Sequence, residues 1–428
     1  MIDIKLIREN PDLVRKNIKR KHQDEKLPLV NQVLEKDNEW RKLKLNSDSL
    51  RHKRNDISKE INKAKKEKNK SNESSLLKEA KEIPRKIGEI ELKMNLLQTE
   101  ISKIMMSIPN IIHKSVPSGK DDSDNVELEV IGNPKVPAYE IFNHAELAER
   151  LSGLDLDTAR EVAGQGFYYL LGDIAQLHSA LFSFARDFMI SKGFQYVIPP
   201  FMIRKEVVEG VMSFAEMDTM MYKIEDEDLY LIGTSEHSVI GMFKNKILFN
   251  KNLPYKLTSY SPCFRKEKGA HGIEEKGLYR VHQFEKQEMI VVCSPEESYD
   301  WYEKMLALTV EVFKKLSIPV RKLECCSGDL GDLKAKSADV EAWSPRQKKY
   351  FEVGSCSNLT DAQARRLGIK IQMGNEKIYA HTLNNTVVAS PRALIALMEN
   401  NQLKDGSIKI PNALVPYMLG KTKISGKK

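Results

Sequence analysis

An α+β fold behind a long helical hairpin is what this 428-residue sequence predicts. Three observations carry the prediction. In the first quarter, apolar residues recur at alternating spacings of three and four. After about residue 126, short β-rich runs and amphipathic helices follow one another in mixed order, which argues against an alternating parallel fold. Between the two regions lies the Pro/Gly/Asp stretch Val116-Pro117-Ser118-Gly119-Lys120-Asp121-Asp122, a composition suited to a linker.

Composition sets the frame. Hydrophobic residues make up 41% and charged residues 30%, enough for a core plus long exposed helices. The net charge of +8 is modest, so its distribution matters more than its size. The five cysteines (263, 293, 325, 326 and 356) show no CxxC pair or other ligand spacing, so reduced thiols are expected and zinc is not. Met1 is followed by charge without an apolar signal core, and no apolar run approaches the roughly 18 residues of a membrane span. A cytoplasmic protein without membrane contact is expected.

The chain opens on a strand or turn around Ile2 and Ile4. A basic helix follows, with Asn10 as N-cap and Pro11 at its first position. Leu43, Leu50, Ile57 and Ala64 then recur every seven residues, with Val33, Trp40 and Ile61 on the companion position, which Ser47 and Arg54 interrupt. A cleaner seam is Ala80, Ile83, Ile87, Ile90, Met94, Leu97, Ile101, Ile104 and Ile108. The apolar-free KEKNKSNESS between them reads as a turn, so the helices fold back as an antiparallel coiled coil about 50 Å long over about 30–108. Pro84 predicts a kink or a loosened turn. Near the turn, Arg51, Lys53, Arg54, Lys59, Lys63, Lys65, Lys66, Lys68 and Lys70 face only Asp56, Glu60 and Glu67. Such a run fits a solvated helix surface or an arm that tracks phosphates. The organisation is an arm over 1–110, a linker over 111–125 and a mixed domain over 126–428.

Within that domain, residues 127–131 read as a strand and 174–191 as an amphipathic helix ended near Gly193. Residues 194–201 form a strand whose Pro199 and Pro200 imply an edge or an interface. Residues 230–236 form a strand leading into Thr234-Ser235-Glu236. A helix spans 297–316, packed by Tyr299, Tyr302, Met305, Leu306, Val310 and Phe313. A strand over 350–356 carries Glu352 and Ser355 to its end. Ala380–Thr386 leads into Ser390-Pro391-Arg392, which starts a last helix.

The most informative stretch runs from Lys256 to Val292. Two strand-like runs flank a charged, Gly-containing loop. Alternation places Arg265 and Glu267 on one face, and Phe284, Lys286 and Glu288 on one face. If the faces align, a guanidinium, an aromatic plate and two carboxylates share a surface suited to phosphate, a flat base and an ammonium group. A hairpin with an ordinary salt-bridged solvent face fits the same pattern.

Taken together, the arm, the PN…VPxG linker and three ordered motifs resemble the class II aminoacyl-tRNA synthetases, specifically the seryl-tRNA synthetase family, over nearly the whole chain. The motifs are the helix and strand ending at Pro200, the hairpin with Phe264-Arg265-Lys266-Glu267 and Val281-His282-Gln283-Phe284, and Ala389-Ser390-Pro391-Arg392. The resemblance implies an antiparallel sheet with flanking helices, and a homodimer whose interface includes Pro200. It implies ATP contacts by Arg265, Lys266, Glu267, Val281, Phe284, Glu352, Val353, Gly354, Ser355 and Arg392, with Arg265 and Arg392 catalytic. It implies Mg²⁺ on Glu352 and Ser355, and a serine pocket of Thr234, Ser235, Glu236, Arg265, Glu288, Asn384 and Thr386. The expected reaction is activation of L-serine with ATP and transfer to tRNA(Ser), with tRNA(Sec) a further candidate. Arg51, Lys53, Arg54, Lys59, Lys63, Lys65 and Lys66 would form the tRNA-binding arm. The loop Gly272–Gly277 departs from the family's GRDTRG. Two alternatives are an activating enzyme that loads a carrier protein and a coiled-coil interaction protein with an inert head.

Overall fold

The computed structural model describes residues 1–67, 70–267 and 278–426, apart from the side chains of Asn72 and Glu73. Of the predicted turn over 66–75, residues 68–69 lie outside the described residues, as does the loop Gly272–Gly277, while 70–75 are already helical rather than turn. The chain forms two compact units, one of Ile2–Lys19 with Gln23–Pro109, the other of Met1, Arg20–His22 and Asn110–Lys428.

The first unit is helical. Helix α1 (Ile4–Glu9) stands where a strand or turn was expected, because the Asp3 carboxylate accepts the Lys5 N–H at 2.8 Å and caps it. Helix α2 (Pro11–Arg20) begins as predicted, with Asn10 Oδ1 accepting the Leu13 N–H at 3.1 Å. Helices α3 (Leu27–Lys66) and α4 (Lys70–Ser107) form the hairpin. Ile57, Ala64, Leu76, Ile83 and Ile87 are buried between them. Ser47 is buried in the seam rather than breaking it, whereas Arg54 is exposed. Near the base, Met105 takes the buried position expected of Ile104. Helix α4 runs unbroken through Pro84, which is exposed, so water can satisfy the carbonyl that loses its donor.

The second unit is built on an eight-stranded sheet. Its strands in chain order are β1 (Val126–Ile131), β2 (Gln195–Val197), β3 (Tyr255–Phe264), β4 (Gln283–Cys293), β5 (Val320–Glu324), β6 (Lys336–Ser344), β7 (Lys349–Asn358) and β8 (His381–Ala389). Their spatial order is β1-β5-β6-β7-β8-β4-β3-β2. All neighbours are antiparallel except β2, which lies parallel to β3 at the edge. The prolines after β2 explain the edge position, since proline cannot donate to a further ladder.

One face of the sheet is covered by α5 (Gly172–Ser191) and α7 (Ser298–Lys315), which join the largest apolar cluster. On α7 the buried stripe includes Thr309 and Val312, while Val310 is only partly covered. The segment 111–125 is pinned rather than free. Ser327 N–H donates to the Pro117 carbonyl at 2.9 Å and Cys326 N–H to Asn125 Oδ1 at 2.8 Å. Gly119 permits this approach, because a Cβ there would sit 2.7 Å from Cys326 Cβ. All five cysteines are free and buried. Among the described residues no helix is long and apolar enough to cross a membrane.

Candidate active site

The long hairpin β3–β4 forms the floor of the site. Its register sets Cys263 opposite Phe284, Ser261 opposite Lys286 and Ser259 opposite Glu288. Phe284, Lys286 and Glu288 thus project to one face, as alternation predicts, and all three line a cavity of about 420 Å³. Arg265 follows the strand end. Its backbone N–H donates to the His282 carbonyl at 2.9 Å and its Nε to the Gly233 carbonyl at 3.2 Å. Its guanidinium carbon lies 5.2 Å from the Phe284 ring centroid. Glu267 does not reach the cavity by strand alternation. It has φ +47°, so the backbone has left the strand, and its carboxylate accepts from Arg280 Nη1 at 3.2 Å.

The opposite wall comes from β7 and helix α9 (Arg392–Asn401). Glu352 and Ser355 are three residues apart, an odd spacing that would send them to opposite faces. A bulge resolves this: Val340 pairs with Gly354 and Glu341 with Glu352, leaving Val353 as the extra residue. The two residues lie within the strand rather than at its end, and both line the cavity with Val353 and Gly354. Arg392 Nη1 donates to Glu352 Oε2 at 2.8 Å, and its guanidinium carbon lies 4.7 Å from the Tyr279 ring centroid. Burial pushes the Glu352 carboxyl up, but Arg392, joined by Lys334 and Arg265, outweighs it and holds the group below its ordinary value. Asp339 on β6 also lines this wall. Burial, then the Glu352 charge, pushes its carboxyl up to about 7.

At the other end, helix α6 (Ser235–Gly241) begins inside the predicted Thr-Ser-Glu cluster. The strand before it is only Tyr230–Leu231. Thr234 is the N-cap: its Oγ1 accepts the Glu236 N–H at 3.3 Å and donates to Glu288 Oε1 at 3.1 Å. Glu236 Oε1 accepts from Gln363 Nε2 at 2.8 Å. Gln363, on α8 (Ala362–Leu367), is fully buried and also binds Thr382 Oγ1 at 2.7 Å through its Oε1. Asn384 and Thr386 complete this end, Thr386 lying opposite Glu288 in the ladder, and Val281 also lines the cavity.

Three sequence-predicted residues lie apart from the cavity wall. Ser235 is fully buried, with its hydroxyl donating to the Ser259 carbonyl at 3.3 Å. Lys266 points away, with Nζ 6.0 Å from the Tyr222 ring centroid. Pro200 is exposed beside the sheet edge, its carbonyl accepting from Ser238 Oγ at 2.6 Å. On the arm, Arg51 pairs with Glu91 and Lys53 with Glu79, both carboxylates coming from the returning helix. Lys59 lies 3.4 Å from Asp56, while Arg54, Lys63, Lys65 and Lys66 are exposed. Sequence reasoning credited the tip only with acids of its own helix.

Tyr279, Lys334, Asp339 and Gln363 were missed. The period-two run Ser337, Asp339, Glu341 carried a signal for Asp339. Gln363 sits on a short helix remote in sequence and had none.

A mixed antiparallel sheet with a phosphate-suited arginine, an aromatic plate and a second arginine from a following helix defines a class II aminoacyl-tRNA synthetase core. The family model described as tRNA synthetase class II core domain (G, H, P, S and T) matches residues 222–401. A prolyl-tRNA synthetase of Giardia lamblia shares the fold at TM-score 0.55 over 63% of this chain and 54% of that one, at 15% identity. The Seryl-tRNA synthetase N-terminal domain model matches residues 1–112. A serine–tRNA ligase of Methanocella arvoryzae is 45% identical, covering 98% of this chain and 99% of that one. The seryl-tRNA synthetase of Pyrococcus horikoshii, solved with ATP, superposes at TM-score 0.94 with 43% identity over the full length of both chains. A cytoplasmic counterpart from Naegleria fowleri, solved with AMP, gives 0.89 at 34% identity, covering 100% of this chain and 99% of that one. This chain belongs to the seryl-tRNA synthetase family.

Proposed function

We propose that the chain activates L-serine with ATP to seryl-adenylate and diphosphate, then transfers serine to the 3′ end of tRNA(Ser). The observation that carries this is one cavity with two chemistries. Arg265, Phe284 and Arg392 at one end suit phosphates and a base, and Thr234, Glu236 and Glu288 at the other suit a small hydroxylated amino acid. Nothing in the site or the relatives extends the reading to tRNA(Sec). An enzyme loading a carrier protein would have little use for the arm, and an inert head would not need both arginines and the acid pocket.

In this reading serine's carboxylate attacks the α-phosphorus in line, and diphosphate leaves. Arg265 takes the α-phosphate oxygens and Arg392 the γ-phosphate, so charge that builds on the phosphates meets guanidinium already in place. Adenine stacks on Phe284 beside Val281, with its edge near Glu267. No side chain acts as nucleophile, so positioning supplies much of the rate. The donor set at Glu352, Ser355 and Asp339 fits a hard divalent cation in kind, since two carboxylates and a hydroxyl offer oxygen donors only, although Arg392 and Lys334 face the same carboxylates. Glu352 and Ser355 would hold Mg²⁺, which when bound supplies further positive charge to the phosphate oxygens. The arm would hold the tRNA body through Arg54, Lys63, Lys65 and Lys66, with Arg51, Lys53 and Lys59 exchanging their surface carboxylate partners for phosphates. The Pro200 region would form a homodimer interface, and the reaction belongs in the cytoplasm with its tRNA. The test is amino-acid-dependent exchange of diphosphate into ATP: serine should support it, and no response to serine would overturn the proposal.

Glu236 gives a pH prediction. Burial, reinforced by Glu288, pushes its carboxyl up to about 7. Its charge is therefore lost as pH falls through that value. Lys286 already offsets Glu288, so Glu236 is the carboxylate left for serine's ammonium. In exchange, kcat/KM for serine is expected to fall about tenfold per pH unit below about pH 6. A profile flat down to about pH 5.5 would remove Glu236 from that role.

A further inference from the structure

The serine end of the cavity contains a lysine to which no contact with substrate has been given. Lys286 stands on β4 between Phe284 and Glu288 and is 7% exposed. Its ladder neighbours are small, Ser261 on β3 and Ala389 on β8, so its aliphatic stem has room along the floor. Its Nζ pairs with Glu288 Oε1, the same oxygen that accepts from Thr234 Oγ1 at 3.1 Å. The other oxygen, Glu288 Oε2, is buried and has no hydrogen-bond partner among the described residues. A buried acceptor without a donor is costly. That cost is relieved by a ligand that brings a donor.

We infer that Lys286 is a specificity-determining positioning residue, which holds Glu288 as a pure acceptor so that Oε2 receives the hydroxyl of the amino-acid side chain. The inference rests on the serine-activating reading above. An ionised carboxylate only accepts, whereas a protonated one also donates. With Lys286 present, alanine leaves Oε2 unsatisfied and is rejected, because a site built to bind a hydroxyl strongly disfavours the ligand lacking it. Without Lys286, Glu236 on α6 and Glu288 on β4 are like charges in one pocket, and the pair retains a proton. The remaining groups that face them are Arg265, Lys334 and His237, the last kept neutral by burial. Glu288 then serves as donor and acceptor by turns, and the pocket no longer requires a hydroxyl.

The test compares serine- and alanine-dependent diphosphate exchange in the full chain, in Lys286→Met and in Lys286→Arg, with ATP binding measured in each. The unaltered chain should respond to serine; if it does not, the functional reading falls and this inference with it. Given that response, Lys286→Met should lower the serine-over-alanine ratio of kcat/KM by about a hundredfold or more. The loss should lie mainly in KM for serine, and the acid limb of the serine profile should move to higher pH. Lys286→Arg should recover most of the ratio. A Lys286→Met chain that binds ATP and keeps the ratio within about threefold of the unaltered chain overturns the inference. So does one that loses ATP binding, since the lysine would then be supporting the floor rather than selecting the ligand.

Discussion

Replacing Arg265 with glutamine is expected to lower kcat/KM for serine-dependent diphosphate exchange by about 10³, roughly 4 kcal/mol of transition-state stabilisation. Two anchors aim the guanidinium: its Nε donates to the Gly233 carbonyl at 3.2 Å, and the Phe284 ring lies beneath it at 5.2 Å. A fork fixed in this way can meet two phosphate oxygens without reorganising at the moment of reaction. Glutamine keeps some hydrogen bonding but brings no charge. Lysine restores charge without the planar fork, so Arg265→Lys should remain at least tenfold below the unaltered chain. Because the anchors belong to backbone and ring, neither substitution leaves a buried charge unpaired, and thermal unfolding should shift little. Exchange within tenfold of the unaltered chain in Arg265→Gln would show that the phosphate is bound elsewhere.

Deleting Asn38–Lys103 and closing the gap with a short flexible linker should leave exchange within about threefold while abolishing charging of tRNA. The physical basis is separation of labour along the chain. Among the described residues, those lining the cavity all lie from Val211 onward, in the second unit. The coiled coil closes its own apolar seam at Ile57, Ala64, Ile83 and Ile87, so its removal uncovers little outside itself. The chosen boundary also spares Asp37, which Arg8 holds through two hydrogen bonds of 2.6 and 2.7 Å. Removing every cation of the tip removes the contacts whose affinity falls steeply with salt. Equal loss of exchange and charging would mean that the arm supports the catalytic unit, and the proposed tRNA role would be wrong.

The sequence determined a good deal by itself. Helical periodicity in α3 and α4 specified the arm, because the three–four spacing of apolar residues has one economical solution, a seam buried against a partner. Short β-rich runs specified a mixed sheet, and the prolines after one of them narrowed that strand to an edge or an interface. Period-two alternation put Phe284, Lys286 and Glu288 on one face. These are local rules, and they hold wherever the backbone stays regular.

What the tertiary structure decided lies where regularity breaks or where segments distant in sequence meet. A positive φ turns Glu267 out of its strand, and a bulge at Val353 brings Glu352 and Ser355 to one side despite their odd spacing. Ser235 is drawn under α6 to a carbonyl of the sheet, although its neighbours Thr234 and Glu236 line the cavity. Glu91 and Glu79 reach Arg51 and Lys53 only because the hairpin returns beside them. Gln363 finds Glu236 across more than a hundred residues. Side-chain direction within one element follows from its period, but pairing between elements depends on register, and register is settled by the packing of the whole sheet.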